Sequence, residues 1–431
     1  MNKPVTVAII GAGNRGLRIY APYAKKFPER MKVVAAAEPN EMRRAQIASE
    51  YDLAPEHTFT TAQELFAKPQ LADMAFICTQ DREHVEHACL AMEKGYDLLL
   101  EKPVSANIPA CKYLLERART LGRSVTVCHV LRYAPFYQKA KQLVENGALG
   151  RVISIQASEN VGYWHQAHSY VRGNWRRAED TSPMILAKCC HDMDILVWLA
   201  DSPCKRVSSM GGTAFFNSAN APAGAPSHCM QGCPAKERCP YDAEKIYIHD
   251  ELTGFDHNGS GWMQNAVTPD HTLEGLRQAL ETGPYGRCVF HCDNNVVDHQ
   301  SLSAEMENGV SVSFLLSGFN QRNFRTLRIM GTLGDVYGEL DEERLVYTPF
   351  GGEPQVIRMD VQETVSGHGG GDYRMMDDMF RARTDGGHTA TDLERSLDGH
   401  FMALAAEHSR LSGGQVVDVA NFVATFPVHN V

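Results

Sequence analysis

Apolar positions along the chain change texture once, near residue 150. Before that point, residues 5–10, 31–38, 72–78, 97–101 and 124–130 form apolar runs of strand length with little alternation, as strands buried on both faces require. The segments 41–51, 62–66, 82–94 and 108–121 between them carry helical spacing. Strands that alternate with helices of this length predict an α/β fold with a parallel, doubly wound sheet and right-handed crossovers. Such a sheet binds its ligand at the carboxyl ends of its strands, where loops 11–16, 79–81 and 101–103 fall.

Beyond residue 150 the pattern alternates. Residues 151–160 read as a strand, 184–199 as an apolar helix, and 296–319 as a hairpin turning at Asn308-Gly309. Further strands are expected at 326–330, 336–340, 345–347 and 355–359, and two closing helices at 372–383 and 393–411. A mostly antiparallel sheet with helices on one side makes the second domain α+β. The expected division is 1–130 for the first domain and 131–431 for the second, with an irregular, Cys-rich insertion at about 203–284.

Length and charge narrow the picture. A chain of 431 residues is too long for one ordinary core, so two domains are expected. Its net charge of −10 argues against nucleic acid or an anionic membrane surface as a partner. No apolar run is long enough to span a bilayer, and no leader precedes the first strand, so a cytoplasmic protein with mostly reduced cysteines is expected.

The first loop carries the clearest chemistry. Gly11-x-Gly13-x-x-Gly16 follows a strand and opens a helix: Gly11 for the tight turn, Gly13 for close approach of a pyrophosphate, and Gly16 for helix–strand packing. Asn14 and Arg15 fill the loop, and phosphates would rest on the helix N-terminus. Glu38 closes the next strand, where a carboxylate binds both ribose hydroxyls and repels a 2′-phosphate. NAD is therefore the expected cofactor, with Arg43 and Arg44 keeping NADP open. Thr79, Gln80, His84, Glu101 and Lys102, on and beside the other two loops, complete the expected cofactor shell.

Lys102, between Glu101 and a turn-forming Pro103 that suits a cis peptide, stands where a substrate alcohol would meet the nicotinamide, and its ammonium suits a developing oxyanion. The plain alternative is a surface lysine paired with Glu101. Lys188, His191 and Asp194 are spaced by three on the predicted 184–199 helix, so they are expected on one face, with His191 moving a proton and Asp194 fixing its tautomer.

Taken together, GAGNRG, CTQDREH, EKP, the helix with His191 and Asp194, and the antiparallel sheet that follows resemble the glucose-fructose oxidoreductase, inositol dehydrogenase and MocA family over nearly the whole chain. The resemblance implies a Rossmann domain, an open-faced C-terminal sheet, tightly held NAD or NADP, sugar-like substrates and dimers or tetramers. It implies Lys102 and His191 as catalytic residues. Many members carry an acidic residue four positions before the histidine; here that place is Ala187, with Lys188 beside it.

Residues 163–176 mix aromatic, histidine and arginine side chains, which suits a polyol. His165, His168, Arg172 and Trp175 are the expected substrate contacts there, with Arg172 or Arg176 for an anionic substituent. His129, Arg132 and Tyr133 follow the last Rossmann strand and are expected in the same cleft, as are Lys188 and Asp194; residues 368–372 could close over it. Cys229, Cys233 and Cys239, with His228, Cys288 or Cys292 as a fourth partner, admit zinc or iron–sulfur ligation, while the plain alternative is small buried thiols; no metal ligand is assigned from the sequence. The function expected is an NAD(P)-dependent oxidoreductase acting on a secondary hydroxyl of a sugar, glycoside or inositol-like polyol. The alternatives are a redox-assisted glycosidase and a non-catalytic cofactor-binding regulator.

Overall fold

A computed structural model of the chain describes residues 3–359 and 367–428. The first sheet contains β1 (Val5–Ile10), β2 (Met31–Ala37), β3 (Thr58–Phe59), β4 (Met74–Ile77), β5 (Asp97–Leu100) and β6 (Val125–Val127), in the order β3-β2-β1-β4-β5-β6. All its pairs are parallel. Both faces are covered, which explains the unbroken apolar runs: Ala8, Ile10, Leu98 and Leu100 face one core, and Val7, Ile9, Phe76 and Leu99 the other.

The glycine loop ends in a helix of unusual pitch. A wide π-type turn over Asn14–Tyr20 precedes a short α-helix at Pro22–Lys26. Gly11 holds φ +90°, where a Cβ would also lie 2.7 Å from the Cys78 carbonyl oxygen, and a Cβ on Gly16 would lie 2.2 Å from the Gly11 carbonyl oxygen. Both positions exclude any larger residue.

The second sheet holds nine strands among the described residues: β7 (Val152–Gly162), β8 (Cys204–Gly212), β9 (His299–Met306), β10 (Ser311–Asn320), β11 (Phe324–Gly331), β12 (Gly334–Glu339), β13 (Arg344–Pro349), β14 (Gln355–Arg358) and β15 (Val417–Asp418). Their order is β14-β13-β12-β11-β7-β10-β9-β8-β15, antiparallel except for β7 with β10. The β9–β10 hairpin turns where expected, with Gly309 at φ +85°. Inner residues such as Ile155, Val312, Phe314 and Leu316 pack on the helices Pro135–Glu145, Cys190–Ala200 and Leu393–Leu411.

Two expectations are corrected. The helix expected over 184–199 is two pieces, Met184–Ala187 and Cys190–Ala200, interrupted at Lys188 and Cys189, so Lys188, His191 and Asp194 do not share a stripe. The segment 203–284 is not wholly irregular: it begins with β8, paired with β9, and contains helices at Trp262–Val267 and Leu273–Thr282. Packing also crosses the division expected at residue 130. Met375, Met376, Met379 and Phe380 complete one Rossmann core, Leu393 and Leu397 the other, and Val127 N–H donates to Thr391 O at 2.9 Å.

The Gly16 clash with a backbone carbonyl predicts that Gly16→Ala destabilises the protein by about 2–4 kcal/mol. Denaturant or thermal unfolding beside Gly387→Ala, whose added methyl would meet no atom within 4 Å, measures the difference; equal midpoints would contradict it.

Candidate active site

The carboxyl ends of β1, β2, β4 and β5 converge on the glycine loop. The Glu38 carboxylate, 5% exposed, reaches over that loop and accepts Ala12 N–H at 2.7 Å and Asn40 N–H at 3.0 Å. Arg44 donates to the carbonyls of Glu38 and Pro39, and Arg43 to that of Asn265, so neither neutralises the carboxylate. A Cβ on Gly13 would face open space, unlike those on Gly11 and Gly16, and Asn14 is exposed beside it. An open approach to backbone at Gly13, a helix N-terminus and an acidic group over the ribose position together fit a dinucleotide.

Thr79 and Gln80 lie in the second loop, Gln80 exposed at its tip. His84, expected to touch the cofactor, is instead a buried strut: Nε2 lies 3.1 Å from Thr79 O and Nδ1 2.7 Å from Pro103 O. It fixes the second loop to the third. The Lys102–Pro103 peptide is cis, as the turn suggested.

Glu101 and Lys102 point different ways. Glu101 accepts Arg15 Nε at 2.6 Å and Tyr20 OH at 2.5 Å, while Arg15 Nη2 donates to Asp372 at 2.7 Å. Burial opposes ionisation of Glu101, but Arg15 and Lys102 outweigh it and hold its carboxyl at about 2. Arg15 therefore ties the loop down through carboxylates. Lys102, freed from Glu101's side chain, donates Nζ to the Ala187 carbonyl at 3.0 Å, bringing it to the broken helix that carries His191.

His191 is 3% exposed, and neither ring nitrogen has a hydrogen-bond partner. Burial, with Lys102 nearby, pushes its pKa well below the ordinary histidine range, so the ring is neutral near pH 7. His129 stands 5.8 Å away and His368 5.5 Å away, centroid to centroid. His368 belongs to the segment 368–372 expected to close over the cleft, and a left-handed run at His368, Gly369 and Gly370 accompanies the approach of its ring to His191.

Several expected substrate contacts are committed elsewhere. Asp194 does not orient His191: both its oxygens receive Arg132 at 2.6 Å, and Oδ2 lies 3.3 Å from His129 Nδ1. The buried bidentate pair aligns the His129 segment with the His191 helix. Tyr133 donates to Asp378 at 2.9 Å. Lys188 faces Glu159 at 3.3 Å, within a buried network in which Arg325 joins Glu159 to Asp192; spacing alone carried no signal for it. Trp175 Nε1 lies 3.3 Å from each oxygen of Asp81, and Arg176 pairs with Asp293 at 2.8 Å. Arg172 is fully buried against Tyr241, Arg287 and Cys229, away from any open cleft.

His165 and His168 keep an aromatic setting. His165 stacks on Trp164 at 5.5 Å and lies 3.0 Å from Asn323. His168 stacks on Tyr285 at 4.8 Å, with Nδ1 2.9 Å from Tyr247 OH, and burial lowers its pKa to about 3. Trp262 packs edge-on to both and is 42% exposed.

Two family descriptions match the chain: "Oxidoreductase family, NAD-binding Rossmann fold" over residues 5–129, and "Oxidoreductase family, C-terminal alpha/beta domain" over 141–418. The chain belongs to the Gfo/Idh/MocA family. As in that family, the first domain is an NAD-binding Rossmann domain and the protein an oxidoreductase. YteT of Bacillus subtilis is 22% identical over 395 residues, covering 87% of this chain and 88% of YteT. The D-glucoside 3-dehydrogenase of Escherichia coli is 28% identical over 151 residues, 35% of this chain and 42% of that enzyme. The inositol dehydrogenase homolog of Azotobacter vinelandii, solved with NAD+, superimposes with a TM-score of 0.69 at 15% identity, covering 97% and 98% of the two chains. Among the described residues of this Gfo/Idh/MocA protein, no helix is long and apolar enough to cross a membrane.

Two outcomes follow from this geometry. Gly13→Ala should leave the unfolding midpoint unchanged but weaken NAD+ binding about tenfold or more, because its methyl meets only the space a pyrophosphate needs; a fluorescence titration with NAD+ reads this. The second outcome concerns acid. His168 and His400 are fully buried, and burial lowers both to about 3. Unfolding exposes them to an ordinary value of about 6.5, so the unfolded state binds more protons below that pH. Stability is complete above about pH 6.5 and falls by up to about 1.4 kcal/mol per histidine per pH unit towards pH 3. Urea midpoints from pH 7.5 to 5 measure the loss; a flat profile would contradict it.

Proposed function

We propose that this oxidoreductase transfers a hydride between a secondary hydroxyl of a sugar, glycoside or inositol-like polyol and NAD. The observation that carries the reading is His191, a neutral, buried ring with both nitrogens unpaired, beside the Lys102 ammonium at the carboxyl end of β5. A buried polar group without a protein partner is costly unless a ligand supplies one.

Bound NAD+ supplies the hydride acceptor. His191 takes the hydroxyl proton, since its depressed pKa keeps a lone pair free. Lys102 spends one N–H on Ala187 O and has two left to hold the oxyanion. The lysine is thus held by the backbone carbonyl of Ala187, the residue that stands where the family resemblance implies an acidic side chain in many members. Trp262, exposed beside His165, supplies aromatic surface that suits the C–H side of a sugar. The printed names of the glucoside and inositol relatives point to the same substrate class. His168, committed to Tyr247 and held neutral, adds no free acid–base pair of the kind a redox-assisted glycosidase needs. Self-association as a dimer or tetramer fits the outer sheet face, where Met210, Leu315 and Tyr337 are exposed.

Absorbance at the reduced-cofactor band, with NAD+ and a panel of sugars, inositols and glycosides, tests the proposal. Lys102→Ala should lower kcat by about 10²–10³-fold. His191→Asn should lower it by about 10²–10⁴-fold while leaving NAD+ affinity intact. Activity indifferent to both substitutions would remove the assignment, and aglycone release without net cofactor reduction would replace it with the glycosidase reading.

A further inference from the structure

The Cys-rich segment holds a second polar centre that hydride transfer does not use. Backbone pairing lays residues 227–229 against 286–288: Cys229 N–H donates to Gly286 O at 2.9 Å and Cys288 N–H to Ser227 O at 2.8 Å. Cys233 and Cys239 flank a tight turn in which Cys239 N–H donates to Ala235 O at 2.9 Å. These four thiols line one cavity, closed by apolar groups including Pro222 and Phe290. Of the other partners considered from the sequence, Cys292 turns its Sγ to Cys288 O at 3.3 Å, and neither it nor His228, whose Nδ1 lies 3.1 Å from Ser227 Oγ, lines the cavity. The fold therefore picks Cys288 as the fourth member.

A missing charge lies beside the cavity. Arg172 is fully buried; its Nε donates to Arg287 O at 2.7 Å, and its Nη2 donates to Tyr241 O at 2.6 Å and lies 3.6 Å from Cys229 Sγ. Its Nη1 has no partner. Among the described residues no carboxylate pairs with it, and Asp242, at the cavity wall, spends its carboxylate on Lys245 N–H at 3.0 Å. A buried guanidinium without an anion is strongly unfavourable, so the thiol cluster next to it is the place to look for negative charge.

We propose that Cys229, Cys233, Cys239 and Cys288 bind one zinc ion as a tetrathiolate, and that this anionic centre is the counter-ion of Arg172. One Zn2+ replaces four thiol protons, which pass to solvent; no electron moves, and the centre carries two net negative charges. The cavity volume of about 10 Å3 is close to the roughly 10–15 Å3 that one water molecule needs, room for a single small ion. Among the described residues no three such groups already stand in ligating array, so binding the ion requires the four side chains to rotate and bring their Sγ atoms to about 2.3 Å from it. The ion would clamp the strand pair beside Tyr285, whose ring stacks on His168.

Metal analysis of the full-length protein, purified with reductant and dialysed, should find about one zinc per chain. Cobalt(II) exchanged into it should show thiolate-to-metal charge-transfer absorption. Cys239→Ser should lose bound zinc, Cys292→Ser should keep it, and NAD+ binding reports that each variant is folded. For the unaltered protein, zinc removal by a chelator should open four further thiols to alkylation, a readout independent of any variant's folding. Zinc well below one equivalent even after anaerobic reconstitution with Zn2+, four irons per chain, or no change in thiol reactivity on chelation would each overturn the proposal.

Discussion

Arg15 is the side chain on which the arrangement of the site depends. It belongs to the glycine loop, yet its guanidinium is held by Glu101 at the end of β5 and by Asp372 on the helix spanning Gly367–Asp385. One charged fork thus holds segments 86 and 357 residues further along the chain. Because Glu101 is engaged by Arg15 and Tyr20, its neighbour Lys102 is left to reach Ala187, at the end of the short helix just before the one that carries His191. A carboxylate buried with two matched donors stays ionised and stays in place, whereas its loss would strand a cation in the interior.

The polar groups around His191 follow a division of labour. Those that set geometry are fully paired: Arg132 with Asp194, Arg325 with Asp192 and Glu159, and His84 between two carbonyls. His191 keeps both nitrogens without a hydrogen-bond partner while buried, as does His129 next to it, whose Nδ1 still faces Asp194 at 3.3 Å. Preorganisation of this kind places the cost of order in the scaffold, so a ligand meets a group already oriented.

Sequence reading was strongest where local chemistry decides structure. β1, the glycine loop and Glu38 were legible because backbone conformation, burial on both faces and an acidic strand end are short-range properties, and the β9–β10 hairpin because Asn308-Gly309 is a turn signal in itself. It failed where partners come from afar. Lys188, His191 and Asp194 look like one stripe, but Glu159 on β7 and Arg132 after β6 each claim one of them, and the helix breaks between. Arg172 has the composition of a substrate contact, yet Tyr241 and Arg287 enclose it. β8 escaped notice because its burial does not follow strict alternation.

The return of the last two long helices to the first sheet has a consequence for how the molecule is made. Met375, Met379 and Phe380 fill one side of the Rossmann core and Leu393 and Leu397 the other, so side chains some 250–390 residues apart in the chain share one interior. The cofactor domain, although it comes first from the ribosome, emerges with apolar grooves on both faces of its sheet. Those grooves close only when the far end of the chain arrives, so synthesis of the second domain is a required step in finishing the first. Until then the nascent sheet carries exposed apolar surface, which is a natural target for chaperones.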